Sequence, residues 1–267
     1  MEPRRPHLSA GTRRAHDERT AAAMILEDLR FRLLMRLGAL LYPDYRFKWP
    51  QMDWVNDARF NAYLARFGEQ DGLNAERRWM VKELMRLTED VAGDTAECGV
   101  YEGAGSYLIC EMNTACQRHR RHHHIFDSFE GVSAPNKFDG SFWRKGDMAR
   151  GEDLVRRNLA GYEAFTLYKG WIPERFGDVA DRRFSFVHID VDLHEPTLES
   201  LRFFYDRMSQ RGIIVCDDYG SSLCPGATRA VHEFLDDKPE RMIALPSFGG
   251  FLVKGTRTSS AGGIATA

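Results

Sequence analysis

Two periodicities divide the chain. Leu26, Leu29, Leu33, Leu37 and Leu40 recur at three- and four-residue spacing, which puts them on one face of a helix over 21–41 with Glu27, Asp28 and Arg32 outside it. Pro43 ends that helix. The spacing predicts two more helices, over 57–67 and over 73–91, the second with Met80, Leu84, Leu87 and Val91 on one face. Beyond Gly93-Asp94 the pattern changes to short apolar, β-branched runs. Strands are predicted at 95–100, 124–126, 164–168, 184–192 and 212–219, alternating with helices at 106–117, 152–159, 174–179, 193–211 and 226–236. Two last strands, 242–245 and 251–254, are joined through Pro246-Ser-Phe-Gly-Gly250 as a hairpin-like ending. Strand, helix, strand in repetition implies parallel neighbours joined by right-handed crossovers, an α/β fold.

The organisation that follows is a disordered Arg-rich tail over 1–20, a helical extension over 21–90, a core over 91–255 and a flexible tail over 256–267. The aromatic stretch Tyr42–Trp54 reads as a lid, a dimer contact or the packing of the extension. The polar stretch Ser133–Gly151, with Phe138, Phe142 and Trp143 embedded, reads as a mobile loop near a site.

Composition narrows the function classes. A net charge of −2 gives no sign of a bulk nucleic-acid binder, and no apolar run approaches the ~20 residues of a membrane span. The N-terminus lacks the apolar segment of a secretory signal. Five cysteines without close metal-type pairing read as reduced thiols of a cytoplasmic protein. The run Arg118–His124 reads as a solvated basic loop, because its spacing fits no closed zinc site.

Chemistry concentrates in two places. Phe184–Asp192 and Gly212–Tyr219 each end in a pair of acids, so Asp190, Asp192, Asp217 and Asp218 should converge at the carboxyl edge of the sheet. So many acids repel unless a cation joins them, and oxygen ligands suit magnesium or a similar ion. Asp190 and Asp192 point to the same face if the strand runs that far. The other place is Ala96–Ser106, where a strand enters a turn containing Gly99, Gly103 and Gly105 and a helix begins at once. Its spacing is not Gly-x-Gly-x-x-Gly, and Glu97 and Glu102 would repel a pyrophosphate. A ligand with a positive centre, such as a sulfonium amino acid, suits it. Asp127, at the end of the second strand, is placed for ribose hydroxyls or for a helix N-cap. Trp171 either stacks on a ligand's ring or fills the core.

With these stretches placed, the chain resembles the macrocin/novobiocin-type sugar O-methyltransferases of antibiotic biosynthesis. The resemblance rests on Glu97-Cys-Gly-Val-Tyr-Glu-Gly103, Asp127-Ser-Phe-Glu-Gly131, Ile189-Asp-Val-Asp-Leu193 with Thr197, and Asp217-Asp-Tyr-Gly220 followed by Gly226, Ala230, Val231 and His232. It implies a Rossmann-like class I methyltransferase sheet with helices on both faces and an N-terminal helical extension. It also implies S-adenosylmethionine as cofactor, lined by Glu97, Gly99, Tyr101, Glu102, Gly103, Ser106, Asp127, Ser128 and Trp171. Asp190, Asp217 and Asp218 would bind Mg2+ and Asp192 would be the general base, with His194 as the rival base. The acceptor implied is a sugar hydroxyl, on a nucleotide-diphosphate deoxysugar such as rhamnose or on a glycosylated product, and the protein is expected to be a homo-oligomer. Val191, His194 and Pro196 stand where that family has Gly, Tyr and Ser. Two other readings are a nicotinamide-dependent oxidoreductase and a non-haem iron oxygenase built on His188, Asp190 and His232.

Overall fold

The computed structural model describes Leu26, residues 29–38, 40–41, 53–70 and 74–256. Of the expected tails, 1–20 and 256–267, only Thr256 is described, and residues 42–52 of the aromatic stretch Tyr42–Trp54 lie outside the described residues. The chain divides into two compact units, Met1–Val55 and Asn56–Ala267. Within the first, helix α1 covers 29–38 and 40–41, and its leucine face is open: Leu26, Leu29, Leu33, Leu37 and Leu40 are 49–79% exposed.

The second unit begins with α2 (Ala58–Phe67) and α3 (Asn74–Arg86). Asp57 caps α2 by accepting from the Phe60 amide (3.0 Å), and Gly68 ends it in the left-handed region at φ 67°. The boundary between the two units falls before α2. The reason is packing. Tyr63 of α2 stacks on Tyr107 of the first crossover helix and donates to the Ala104 carbonyl (3.0 Å), and α3 sends Arg77 to the end of a central strand.

Seven strands follow: β1 (Asp94–Cys98), β2 (His123–Asp127), β3 (Phe165–Lys169), β4 (Phe184–Ile189), β5 (Met208–Cys216), β6 (Ile243–Ala244) and β7 (Gly250–Val253). Helices α4 (Ala104–Ala115), α5 (Glu152–Asn158), α6 (His194–Tyr205) and α7 (Pro225–Leu235) connect them. The order is β3-β2-β1-β4-β5-β7-β6, with β1 to β5 parallel and β7 antiparallel to both neighbours. Strand order thus reverses between β1 and β4, the place where such sheets open a ligand crevice. β4 is buried along its whole length, as a central parallel strand covered on both faces must be.

Alternation along β2 assigns the two faces. Phe126 packs with Phe204 and Leu201 of α6, while Ile125 packs with Val155 and Leu159 of the α5 region. The register then sets the site. Cys98, Phe126, Ile189 and Cys216 lie in one row across the sheet. The next residues, Gly99, Asp127, Asp190 and Asp217, consequently line up along one edge of the sheet, Asp127 as the last residue of β2. β4 ends at Ile189, and Asp192 has φ 61°, so strand alternation does not relate Asp190 to Asp192 as the sequence assumed. β5 starts at Met208, before the expected Gly212, and shortens the crossover helix accordingly. The five cysteines are free thiols.

Candidate active site

A cleft of about 590 Å3 opens at this edge. It is lined by Glu97, Gly99, Tyr101, Glu102, Asp127, Ser128, Trp171, Asp190, Asp192 and Asp218, all expected from the sequence. Arg77, Arg78, Trp143 and Val132 also line it, and none of these was anticipated in the site itself. Expected residues outside the lining take supporting positions. Gly103 is the left-handed residue at the start of α4 (φ 91°), Ser106 is fully buried, and Asp217 is buried.

The glycine turn is shaped by close approach. A Cβ on Gly99, whose φ is +80°, would lie 1.8 Å from the Asp190 carbonyl oxygen. A Cβ on Gly105 would lie 2.0 Å from Glu97 Oε1. These two glycines let the first turn of α4 close on the Glu97 carboxylate and on the end of β4. Asp127 fixes the turn from the other side, its carboxylate accepting from the amides of Val100 (2.8 Å) and Phe129 (2.6 Å). No helix follows it, so the N-cap alternative does not apply. Burial raises the Asp127 carboxyl above its usual range, against those two amide bonds, which favour the anion. At the rim, Arg150 from the 133–151 loop bonds Glu102 (2.7 Å), contacts the Tyr101 hydroxyl and stacks on the Tyr101 ring. The loop has no helix or strand before α5.

A buried polar chain runs beneath the cleft. Asn113 donates to Thr95 Oγ1 (2.8 Å), Thr95 Oγ1 pairs with His123 Nδ1 (3.0 Å), and His123 Nε2 pairs with Ser106 Oγ (3.2 Å). Ser106 donates to Glu97, whose other oxygen meets His188 Nδ1 (2.8 Å). His188 Nε2 reaches Asp217 Oδ1 (3.3 Å), and Asp217 Oδ2 is paired with Arg77. His188, fully buried in β4, thus bridges the glycine-turn carboxylate and the β5 carboxylates. Hydrogen bonds link these side chains at a burial where an unpartnered polar group costs about 1–3 kcal/mol, and Asn113 Oδ1 and Arg77 Nε are the atoms of this polar chain left without a partner among the described residues.

The described residues hold two groups of possible metal ligands: His188, Asp190 and Asp217, and Asp192, Asp218 and Cys224, the ligand atoms of each lying within 4.8 Å of one another. The donor set is mostly carboxylate oxygen, which fits a hard divalent ion; of the three expected ligands, Asp190 and Asp217 fall in the first group and Asp218 in the second. Asp218 accepts from the Asp192 amide (2.8 Å), which holds Asp192 in its left-handed conformation. The Asp192 carboxyl is pushed up to about 8, first by burial and then by the charges of Asp218 and Asp190. Cys224 Sγ lies 3.5 Å from Asp192 Oδ1 and accepts from Trp143 Nε1 (3.3 Å).

His194 sits elsewhere. It is buried in the first turn of α6, its ring pairs with Glu233 of α7 (2.8 Å) and packs on Phe138, and it is absent from the cleft lining. Its amide donates to Asp139 (2.6 Å), which anchors the loop. His232 is exposed and bonded to Tyr219 (3.0 Å), outside both ligand groups among the described residues. The iron-triad reading therefore has no second histidine.

Residues 76–246 match the family described as Macrocin-O-methyltransferase (TylF). Among curated proteins, the chain is 28% identical over 159 residues to the demethyldecarbamoylnovobiocin O-methyltransferase of Streptomyces niveus, covering 55% of this chain and 60% of that protein. It is 26% identical to the 8-demethyl-8-(2,3-dimethoxy-alpha-L-rhamnosyl)-tetracenomycin-C 4'-O-methyltransferase of Streptomyces olivaceus, with the same coverage, 55% and 60%. The chain thus spans about three-fifths of the length of these curated relatives. Among solved structures, the O-methyltransferase NovP superposes with a TM-score of 0.58 at 23% identity, covering 69% of this chain and 83% of that one. The calicheamicin methyltransferase CalS11 gives 0.60 at 18% identity, covering 79% and 96%. The sheet is thus that of the class I methyltransferases.

Proposed function

The chain belongs to the macrocin O-methyltransferase family, and from that premise we propose that it moves a methyl group from S-adenosylmethionine to a sugar hydroxyl, with a divalent ion such as Mg2+ held by Asp190, Asp217 and Asp218. The observation that carries this reading is the shared edge of the sheet. The glycine turn after β1, Asp127 at the end of β2, Asp190 and Asp192 after β4 and Asp218 after β5 all border one cleft.

Each part has a role in this reading. Glu97, Asp127 and the Gly99–Gly103 turn hold the methyl donor, with Tyr101, Glu102, Ser128 and Trp171 around it. Acids beside the turn suit a ligand with a positive sulfonium and an amino group. A divalent ion, when bound, supplies Lewis-acid polarisation that lowers the pKa of an acceptor hydroxyl. Asp192 is the base that takes the hydroxyl proton, a contribution of typically about 10²–10⁴-fold. Its burial and its acidic neighbours raise its proton affinity, which suits that task. His194 has its ring committed to Glu233, which leaves the base role to Asp192.

The acceptor class follows from the relatives' printed substrates, which are sugar-bearing natural products including a rhamnosyl tetracenomycin. We take it to be a nucleotide-diphosphate deoxysugar such as rhamnose, or a glycosylated product of antibiotic biosynthesis. A homo-oligomer is part of the same reading, supported by the open leucine face of α1.

The test pairs binding with turnover. Asp192→Asn should bind S-adenosylhomocysteine as tightly as the wild type, by calorimetry, and lose methyl transfer by at least about 100-fold. Wild-type turnover in the variant would reassign the base. Tight binding of NADH in place of S-adenosylhomocysteine would end the methyltransferase reading.

A further inference from the structure

The acid cluster already contains a cation. Arg77 of α3 reaches across to the end of β5, where its Nη2 donates to the Asp217 carbonyl (2.9 Å), pairs with Asp217 Oδ2 and lies 3.7 Å from Asp218 Oδ1. Its neighbour Arg78 also approaches the cluster, with Nη1 4.0 Å from Asp190 Oδ2. The two arginines are held differently. Arg78 is clamped by both oxygens of Glu69, at 3.1 Å each, so its position is fixed from outside the cluster. Arg77 has the cluster as its anchor, and its buried Nε has no hydrogen-bond partner among the described residues.

Asp217 therefore has both carboxylate oxygens engaged, Oδ1 by His188 and Oδ2 by Arg77. Each oxygen keeps a second lone pair, but a divalent ion on Oδ2 would share that oxygen with the Arg77 guanidinium, cation against cation, so ion and guanidinium compete for Asp217. His188 is fully buried and held at its other nitrogen by Glu97 (2.8 Å). The Arg77 side chain is 21% exposed and tethered on one side. It is the partner that can leave.

We propose that Arg77 is the resident counter-cation of the acid cluster, and that its guanidinium and a divalent ion are mutually exclusive partners of Asp217. This rests on the reading that Asp190, Asp217 and Asp218 take such an ion. Arg77 is then a positioning residue. It neutralises the acids in the metal-free chain, keeps them from repelling, and sets a threshold that the ion must exceed.

The sign of one substitution tests it. Mn2+ titrated into the full chain, followed by its electron paramagnetic resonance signal, should bind Arg77→Gln at least tenfold more tightly than the wild type. Metal-free Arg77→Gln should melt below the wild type, and saturating Mn2+ should remove the difference. Equal or weaker Mn2+ binding by Arg77→Gln, alongside clear binding by the wild type, overturns the proposal and makes Arg77 an organiser of the site. Absence of binding in both chains overturns the metal reading and this proposal with it. A measurement independent of the variant's folding uses ¹⁵N-arginine-labelled wild type. The Nε–H resonance that is lost in Arg77→Lys should move towards that of free arginine on adding Mg2+. No movement of any arginine resonance at saturation counts against displacement.

Discussion

Burial pushes the His123 imidazole down to about 3 from its ordinary 6.5, with the neighbouring His124 adding to the shift. The ring works as a neutral link between Thr95 and Ser106, and so supports the serine that holds Glu97. The linkage has a definite sign. The unfolded chain takes up a proton at this residue near pH 6.5, and the folded chain does so only near 3. The stability tied to the neutral ring is complete above pH 6.5 and declines as pH falls towards 3, by about 1.4 kcal/mol per pH unit. His123→Gln, which keeps an amide to pair with the two hydroxyls, should flatten the acid limb of stability by that slope. Urea unfolding at pH 7, 5.5 and 4.5 measures it, and parallel curves for the two chains would refute the assignment. The sequence showed His123 only as one of a basic run, because histidine spacing says nothing about which rings a strand turns inward. Asp190, Asp217 and Asp218, by contrast, were legible, since a paired acid at the end of an apolar run marks the carboxyl edge of a parallel strand.

At the scale of elements, the strand–helix alternation could be read from the sequence because the strands carry short apolar or β-branched runs between turn residues. The exact end of β4 could not. Val191 continues the apolar pattern, yet the chain leaves the sheet at Asp190 and turns through Asp192 in the left-handed region. The 133–151 loop was expected near the site, and its anchoring adds a mechanism. Trp143 donates to Cys224, which in turn meets Asp192. Those residues are 81 and 32 positions apart, beyond any local pattern. The loop thus reaches Asp192, the proposed base, through one sulfur. Trp143→Phe keeps the ring and removes the donor. A bond of this kind is worth about 0.5–1.5 kcal/mol, so kcat/KM for the acceptor should fall about 2- to 12-fold. S-adenosylhomocysteine affinity should not change. A change confined to cofactor affinity would place Trp143 on the donor side instead.

For the whole molecule, the open question of scale is the leucine face of α1. Leu40 and Leu41 are 79% and 73% exposed, and Leu29, Leu33, Leu34 and Leu37 lie between 51% and 59%. Their spacing made the face legible in the sequence, but periodicity reports only that a face is apolar and never what covers it. Fully burying a leucine is worth about 1.5–3 kcal/mol relative to leaving it exposed, so a helix face of this width is costly to leave in water. A second copy of the same helix offers a matching apolar face, and a symmetric pairing would bury both at once. A monomer of this chain has a mass of 30.6 kDa. Light scattering after size exclusion should return a multiple of it. Leu33→Glu with Leu37→Glu places charges in the middle of the face and should shift the distribution towards the monomer. S-adenosylhomocysteine affinity should be retained, because the described residues that line the cleft belong to the Asn56–Ala267 unit. A wild type that runs as a monomer at tens of micromolar would remove the oligomer. Loss of cofactor affinity in the double variant would instead tie α1 to the site.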